Sequence, residues 1–142
     1  MTYLNFDGNA AEVMTFYHSV LGGNLNIQKI GDNPMKENFP PEMHDKVMHA
    51  SVTAQNILIG ASDMSDEAVN RGNAMRLCLD CESEEEMQKL WKALGEGGKV
   101  NHAINNTPWG AFGDMTDKFG ITWMLNYTKP GMGADMNEKK SI

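Results

Sequence analysis

The sequence predicts an α+β fold built from two tandem βαβββ modules. Three observations carry this. Two amphipathic helical patterns repeat 74 positions apart, as Asn9 and Ser83 mark. Each follows one strand-like segment and precedes three more. Turn residues separate the last two strands of each half, as hairpins require.

The first helix is expected from about Asn9 to Leu21. Val13, Phe16, Tyr17, Val20 and Leu21 fall on one face of a 3.6-residue period. Asn9 is the expected N-cap, with Glu12 three residues on, and Gly22–Gly23 form the left-handed stop. The second helix repeats the plan. Ser83 caps it, Glu86 follows three residues later, Met87, Leu90, Trp91 and Leu94 make the stripe, and Gly95, Gly97 and Gly98 end it. The acidic run 82–86 suits a helix N-terminus and needs no functional reading.

Strands are expected at Thr2–Asp7, Asn24–Ile30, Val47–Ala54 and Asn56–Ala61, and again at Ala74–Cys81, Lys99–Asn105, Gly110–Thr116 and Ile121–Tyr127. The stretch Gly31–Lys46, with Pro34, Pro40 and Pro41, reads as a long ordered loop with one helical turn. The two modules span about 1–62 and 73–128 of a single domain; a polar linker joins them and a polar, mobile tail follows Pro130.

Composition narrows the partners. The net charge of -7 and the scattered Lys and Arg residues disfavour nucleic acid and anionic membranes. No apolar run reaches the roughly 20 residues of a membrane span, and the N-terminus lacks the pattern of a signal peptide. A cytoplasmic location is the expectation. Cys78 and Cys81 have CxxC spacing, but on a strand they point to opposite faces and share neither a metal nor a disulfide.

Four stretches carry a family resemblance: YLNFDGNAAEVMTFYHSVLGG, DKVMHASV, SEEEMQKLWKALGEGGKV and WGAFGDMTDKFGITWMLN. They resemble the PhnB-like branch of the vicinal-oxygen-chelate superfamily, also called the glyoxalase/bleomycin resistance protein/dioxygenase superfamily. The resemblance implies that the strands of two βαβββ modules curve around a cup, with helices on the outer face. It implies a homodimer as well. Related enzymes hold a divalent metal in the cup, while bleomycin-resistance proteins only bind and sequester. Members of this branch often carry the name of a ubiquinone methyltransferase. No glycine-rich nucleotide-binding turn follows a strand here to support that name.

Strand alternation assigns the cup face. Tyr3, Asn5, His49, Ser51, Arg76, Thr122 and Met124 are the expected ligand-binding residues, with Thr53, Leu58, Gly60, Cys78 and Asn126 on the same face. The family's four metal-bearing strands offer Tyr3 or Asn5, Leu58 or Gly60, Arg76 or Cys78, and Met124 or Asn126. None is a histidine or carboxylate, so no metal and no cofactor is expected. Core packing is the default for Met75, Met115 and Met124, with softening of a ligand cavity as the alternative for each. His49 is either a base or a satisfied neighbour; His18 and His102 are expected on the surface. Only Asp7 and Asp114, both at strand ends, offer Arg76 a counter-charge, so its guanidinium is solvated or awaits an anion.

Two functions remain. One is metal-free binding of a small organic molecule, anionic or neutral. The other is an enzyme: a metal-dependent lyase, isomerase or dioxygenase with an atypical ligand set, or one using His49 as a general base.

Overall fold

The structure, a computed structural model, describes residues 1–55 and 57–131. The tail expected after Pro130 lies almost wholly outside the described residues. The chain divides into two compact units, Met1–Asn70 and the part from Arg71 onward.

Unit 1 contains β1 (Thr2–Asn5), α1 (Ala10–Leu21), β2 (Asn24–Lys29), β3 (Val47–Ala54) and β4 (Ile57–Ser62). The sheet order is β1-β4-β3-β2, with β1 parallel to β4 and the other pairs antiparallel. Helix α1 covers one face. Its Ala10, Val13, Met14 and Tyr17 are fully buried against Ala50, Val52, Ile59 and Ala61. Phe16, Val20 and Leu21 of the expected stripe are only half-buried. The helix is rotated so that the smaller Ala10 and flexible Met14 take the deep places.

The N-terminus of α1 departs from expectation. The Asn9 side chain makes no cap, because its backbone (φ -112°, ψ 16°) is not the extended form that a capping side chain needs. Asp63 does this work from just beyond β4. One carboxylate oxygen accepts the N–H groups of Gly8 (2.9 Å) and Ala10 (3.0 Å), and the other accepts that of Val47 (2.9 Å). Asp63 is buried, so these three bonds replace its lost water.

The stretch between β2 and β3 holds three short 3-10 turns, Ile30–Asp32, Lys36–Asn38 and Pro41–Met43, where one turn was expected. His44 Nε2–H donates to the carbonyls of Lys36 (2.9 Å) and Phe39 (3.1 Å) and pins the loop to itself.

Unit 2 repeats the order: β5 (Leu77–Cys81), α2 (Glu84–Gly95), β6 (Lys99–Thr107), β7 (Gly110–Thr116) and β8 (Thr122–Thr128). Its sheet runs β5-β8-β7-β6, with β5 parallel to β8. Ser83 caps α2 as expected, its Oγ accepting Glu86 N–H at 3.0 Å. Met87 and Leu94 are buried over Leu79, Met115, Trp123 and Leu125. Buried Asp117 organises the β7–β8 turn, accepting from Phe119 N–H, Ile121 N–H and the Trp123 indole N–H at 2.9, 3.1 and 2.9 Å. The strand expected from Ala74 begins only at Leu77, so Arg76 sits just before it and Met75 is 81% exposed.

Candidate functional site

Each sheet keeps one face away from its helix, and the expected site residues lie on those two open faces. In unit 1, Tyr3 pairs with Gly60 across β1–β4, and Gly60 pairs with Ser51 across β4–β3. A Cβ at Gly60 would stand 2.7 Å from Tyr3 Cδ2, so only glycine lets the ring lie flat across the sheet. The phenol then crosses β4 and reaches His49 on β3. Tyr3 Oη and His49 Nδ1 are 3.1 Å apart, and the rings stack at 5.7 Å with 20° between planes. Ser51 is half-buried on this face, Asn5 is exposed, and Leu58 adds an exposed apolar group.

In unit 2, Cys78, Met124 and Asp114 stand in register across β5, β8 and β7, and His102 on β6 completes the row. Asp114 is buried within this row. Its carboxylate accepts His102 Nδ1–H at 3.0 Å and faces Arg76 Nε at 3.6 Å. A carboxylate only accepts, so the proton between Asp114 and His102 sits on Nδ1. Beside this cluster Thr122 Oγ1 meets Thr116 Oγ1 at 3.1 Å, and Thr116 accepts from Asn101 Nδ2 at 2.9 Å. Phe112 is an exposed apolar neighbour.

Several expectations need correction. Arg76 is on the open face as expected, but its charge is not unmatched, because Asp114 lies inside β7 rather than at a strand end. His102 is exposed as expected, yet it is hydrogen-bonded to that carboxylate. His18 is not simply solvated: its Nε2–H donates to Gly23 O at 3.1 Å. Of the three methionines weighed between core and cavity, Met115 packs in the core under Gly95 of α2, as the default has it, and Met75 lies outside the strand. Only Met124 faces the open side.

Sequence reasoning missed the pair His102–Asp114. A regular β6–β7 hairpin running back from Thr107↔Gly110 would set Ala103 against Asp114. Register shifts between Val100 and His102, and between His102 and Asn105, bring His102 there instead. No single-sequence signal marks such a bulge.

Neither cysteine is an activated nucleophile. Cys78 is exposed on the open face and Cys81 buried on the other. Burial, with smaller contributions from Glu86, Asp80 and Cys78, pushes the Cys81 thiol up to about 11. Burial and then Asp80 also raise Cys78. Such thiols resist forming the thiolate that reacts or binds metal.

The donor set does not fit the divalent metal of related enzymes. Gly60 and Leu58 offer no side-chain donor, Arg76 is cationic, and Asn126, its Nδ2–H donated to Asp80 at 3.2 Å, brings only a neutral amide oxygen. Among the described residues no three His, Cys, Asp or Glu side chains gather where one ion could be held. Two grooves flank α2. One is lined by Glu84, Gln88, Asn106 and Ala111 among others, and one by Trp91, Lys92, Glu96 and Val100 among others. Among the described residues no helix is long and apolar enough to cross a membrane.

Comparison with known proteins follows the same outline. A family model described as 3-demethylubiquinone-9 3-methyltransferase matches residues 1–126. Protein YjdN of Escherichia coli K12 is 34% identical over 140 residues, covering 89% of this chain and 93% of its own. The crystal structure of protein PA1353 from Pseudomonas aeruginosa superposes with a TM-score of 0.78 at 35% identity, covering 89% of this chain and 95% of that one. A Bacillus cereus PhnB protein that also bears the methyltransferase name superposes at 0.71 with 28% identity, over 90% and 98% of the two chains. A glyoxalase/bleomycin resistance protein/dioxygenase family enzyme from Burkholderia phytofirmans, 16% identical with a TM-score of 0.55 over 89% and 97%, shares the fold.

Proposed function

The chain belongs to the PhnB-like family of the vicinal-oxygen-chelate superfamily, the family described as 3-demethylubiquinone-9 3-methyltransferase, and from that premise we propose that it binds a small organic molecule on its open sheet faces without a resident metal. The observation that carries this reading is the Tyr3–His49 pair laid over Gly60. A protein that only needed to cover a sheet face would fill it with apolar side chains. Here a glycine keeps the floor flat, a half-exposed aromatic ring lies on it, and two polar tips converge beside Ser51. Apolar surface with a few convergent polar groups is the usual lining of a small-molecule site. Asn5, Arg76, Thr122 and Met124 extend the set of contact residues.

The charge of the ligand is a separate matter. Asp114 already balances Arg76, so an unmatched guanidinium no longer argues for an anion. Hydrogen-bonding capacity, rather than net charge, is what these faces offer. The methyltransferase name is not adopted. The turns into the two helices, Asp7-Gly8-Asn9 and Glu82-Ser83, lack the glycine-rich run that cradles a nucleotide cofactor.

A second reading has one observation in its favour. If His49 Nδ1–H donates to the Tyr3 oxygen, Nε2 carries a lone pair and His49 can act as a general base. We further propose a cytoplasmic homodimer. Each sheet has two edge strands within its own unit, and Val100, Trp109 and Phe112 expose apolar surface near one of them. Light scattering should then report twice the 15.7 kDa chain mass; the mass of one chain at micromolar concentration contradicts the dimer.

The binding reading is tested by a thermal-shift screen of neutral and anionic aromatic and hydroxylated compounds, run with and without chelator. Stabilisation that survives chelation and weakens in Tyr3→Phe and His49→Ala supports it. About one equivalent of zinc, nickel, iron or manganese retained after dialysis contradicts it.

A further inference from the structure

We propose that His102 is a proton acceptor on the open face of unit 2, with its Nε2 presented to a ligand and Asp114 as its positioning residue. The ligand's presence rests on the reading above; the orientation of His102 does not.

Three features of the geometry point here. Asp114 is a buried carboxylate, whereas Asp80 on the same face is exposed. Both of its oxygens lie within hydrogen-bonding reach of His102 Nδ1, at 3.0 and 3.1 Å, so the imidazole plane and its tautomer are set together. The rest of the ring is open, the His102 side chain being 73% exposed. An acceptor on Nδ1–H leaves the Nε2 lone pair as the only basic site of the neutral ring.

The other described histidines differ. His18 and His44 give Nε2–H to backbone carbonyls, so their outward nitrogen is already protonated and engaged. His49 faces a phenol that can donate or accept.

The ligand class follows from the chemistry. A small molecule with an acidic hydroxyl, such as a phenol or enol, would lose its proton to Nε2. The O–H bond breaks, the N–H bond forms, and the electron pair stays on oxygen. The resulting imidazolium is stabilised by Asp114, whose carboxylate also faces Arg76 Nε at 3.6 Å. Among the described residues Lys99 on β6 is a further cation near this strand end, and Asp80 a further carboxylate on the face.

Nitrogen-15 NMR of the ligand-free protein at pH 8.5, above the ordinary histidine range, reads the tautomer directly. The Nδ1–H form should dominate for His102 by roughly tenfold or more, the factor that a hydrogen bond to a charged acceptor supplies. Asp114→Asn should abolish that preference. Carbethoxylation by diethyl pyrocarbonate, followed residue by residue, should be faster at His102 than at His18 or His44, and slow at His102 alone in Asp114→Asn. A dominant Nε2–H form in the wild-type protein overturns the proposal, even if the variant fails to fold. So does a His102 carbethoxylation rate no faster than that of His44.

4-Nitrophenol, whose ionised form absorbs visible light, tests the ligand class. At a pH where both forms coexist, the wild-type protein should draw the probe toward the phenolate and His102→Gln should not. Equal ionisation with both proteins overturns the ligand class, and it does so separately from the tautomer result.

Discussion

Units 1 and 2 share an element order and a sheet topology, and each holds one histidine on its open face through Nδ1. The partners differ. His49 on β3 meets the phenol of Tyr3, which arrives from β1 across the bare backbone of Gly60. His102 on β6 meets the carboxylate of Asp114 on the neighbouring strand. A phenol can give or take the shared proton, so the tautomer of His49 stays open to a ligand's demand. A carboxylate only accepts, so that of His102 is set in advance. One architecture thus carries an adaptable imidazole in one unit and a committed one in the other.

The same contrast runs through the scaffold, and the largest expected effects lie there. Each unit is held by one buried carboxylate with three N–H partners, but at different places. Asp63 joins the β1–α1 turn to β3, and Asp117 closes the β7–β8 turn around Trp123. Asp63→Ala or Asp117→Ala strands two buried donors and one part-buried one, and should cost about 3–5 kcal/mol in urea unfolding. A loss below about 1 kcal/mol for either would show that water replaces the carboxylate.

The helix caps sharpen the comparison at a smaller scale. Ser83→Ala removes the local cap of α2 and should cost about 1 kcal/mol. Asn9→Ala should cost only a few tenths, because Asp63 already serves the start of α1. Equal losses at the two positions would contradict the capping assignment.

Gly60→Ala tests the first histidine. The exposed Tyr3 ring can swing aside, so the expected stability loss is below about 1 kcal/mol, but the Tyr3–His49 contact should vanish. His49 ring shifts should then match those in Tyr3→Phe. Unchanged shifts would mean that the glycine does not seat the ring.

One effect depends on pH and concerns Cys81. Its folded thiol is raised from 9.0 to about 11, so the unfolded chain ionises first. The stability this thiol contributes is complete below pH 9 and is lost as pH rises through 11. Wild type should therefore lose stability relative to Cys81→Ala over that window, and a flat difference contradicts the assignment.

What was legible in the sequence was local. Helical periodicity and strand parity need only neighbouring residues, so the two helices and the open-face placement of Tyr3, His49 and Met124 could be read from it. Long-range polar partners could not. The Asp63 carboxylate that receives Ala10 N–H is 53 residues away, and Asn9 looks like a better cap than it is. The bulges of β6 shift His102 onto Asp114, and the sum of small register changes leaves no trace in composition or period. The depth order within α1 was likewise hidden, since Ala10 and Met14 reach the core while Val20 and Leu21 stay at its margin.

Amide chemical-shift mapping with the compounds that stabilise the metal-free protein tests the binding account most directly. Shifts should gather on the open faces, around Tyr3, His49 and Ser51 or around Arg76, His102, Asp114 and Thr122. Shifts confined to the helix-side grooves, at Glu84, Gln88 and Asn106 or at Trp91 and Val100, would contradict it, as would binding that appears only when a divalent metal is added.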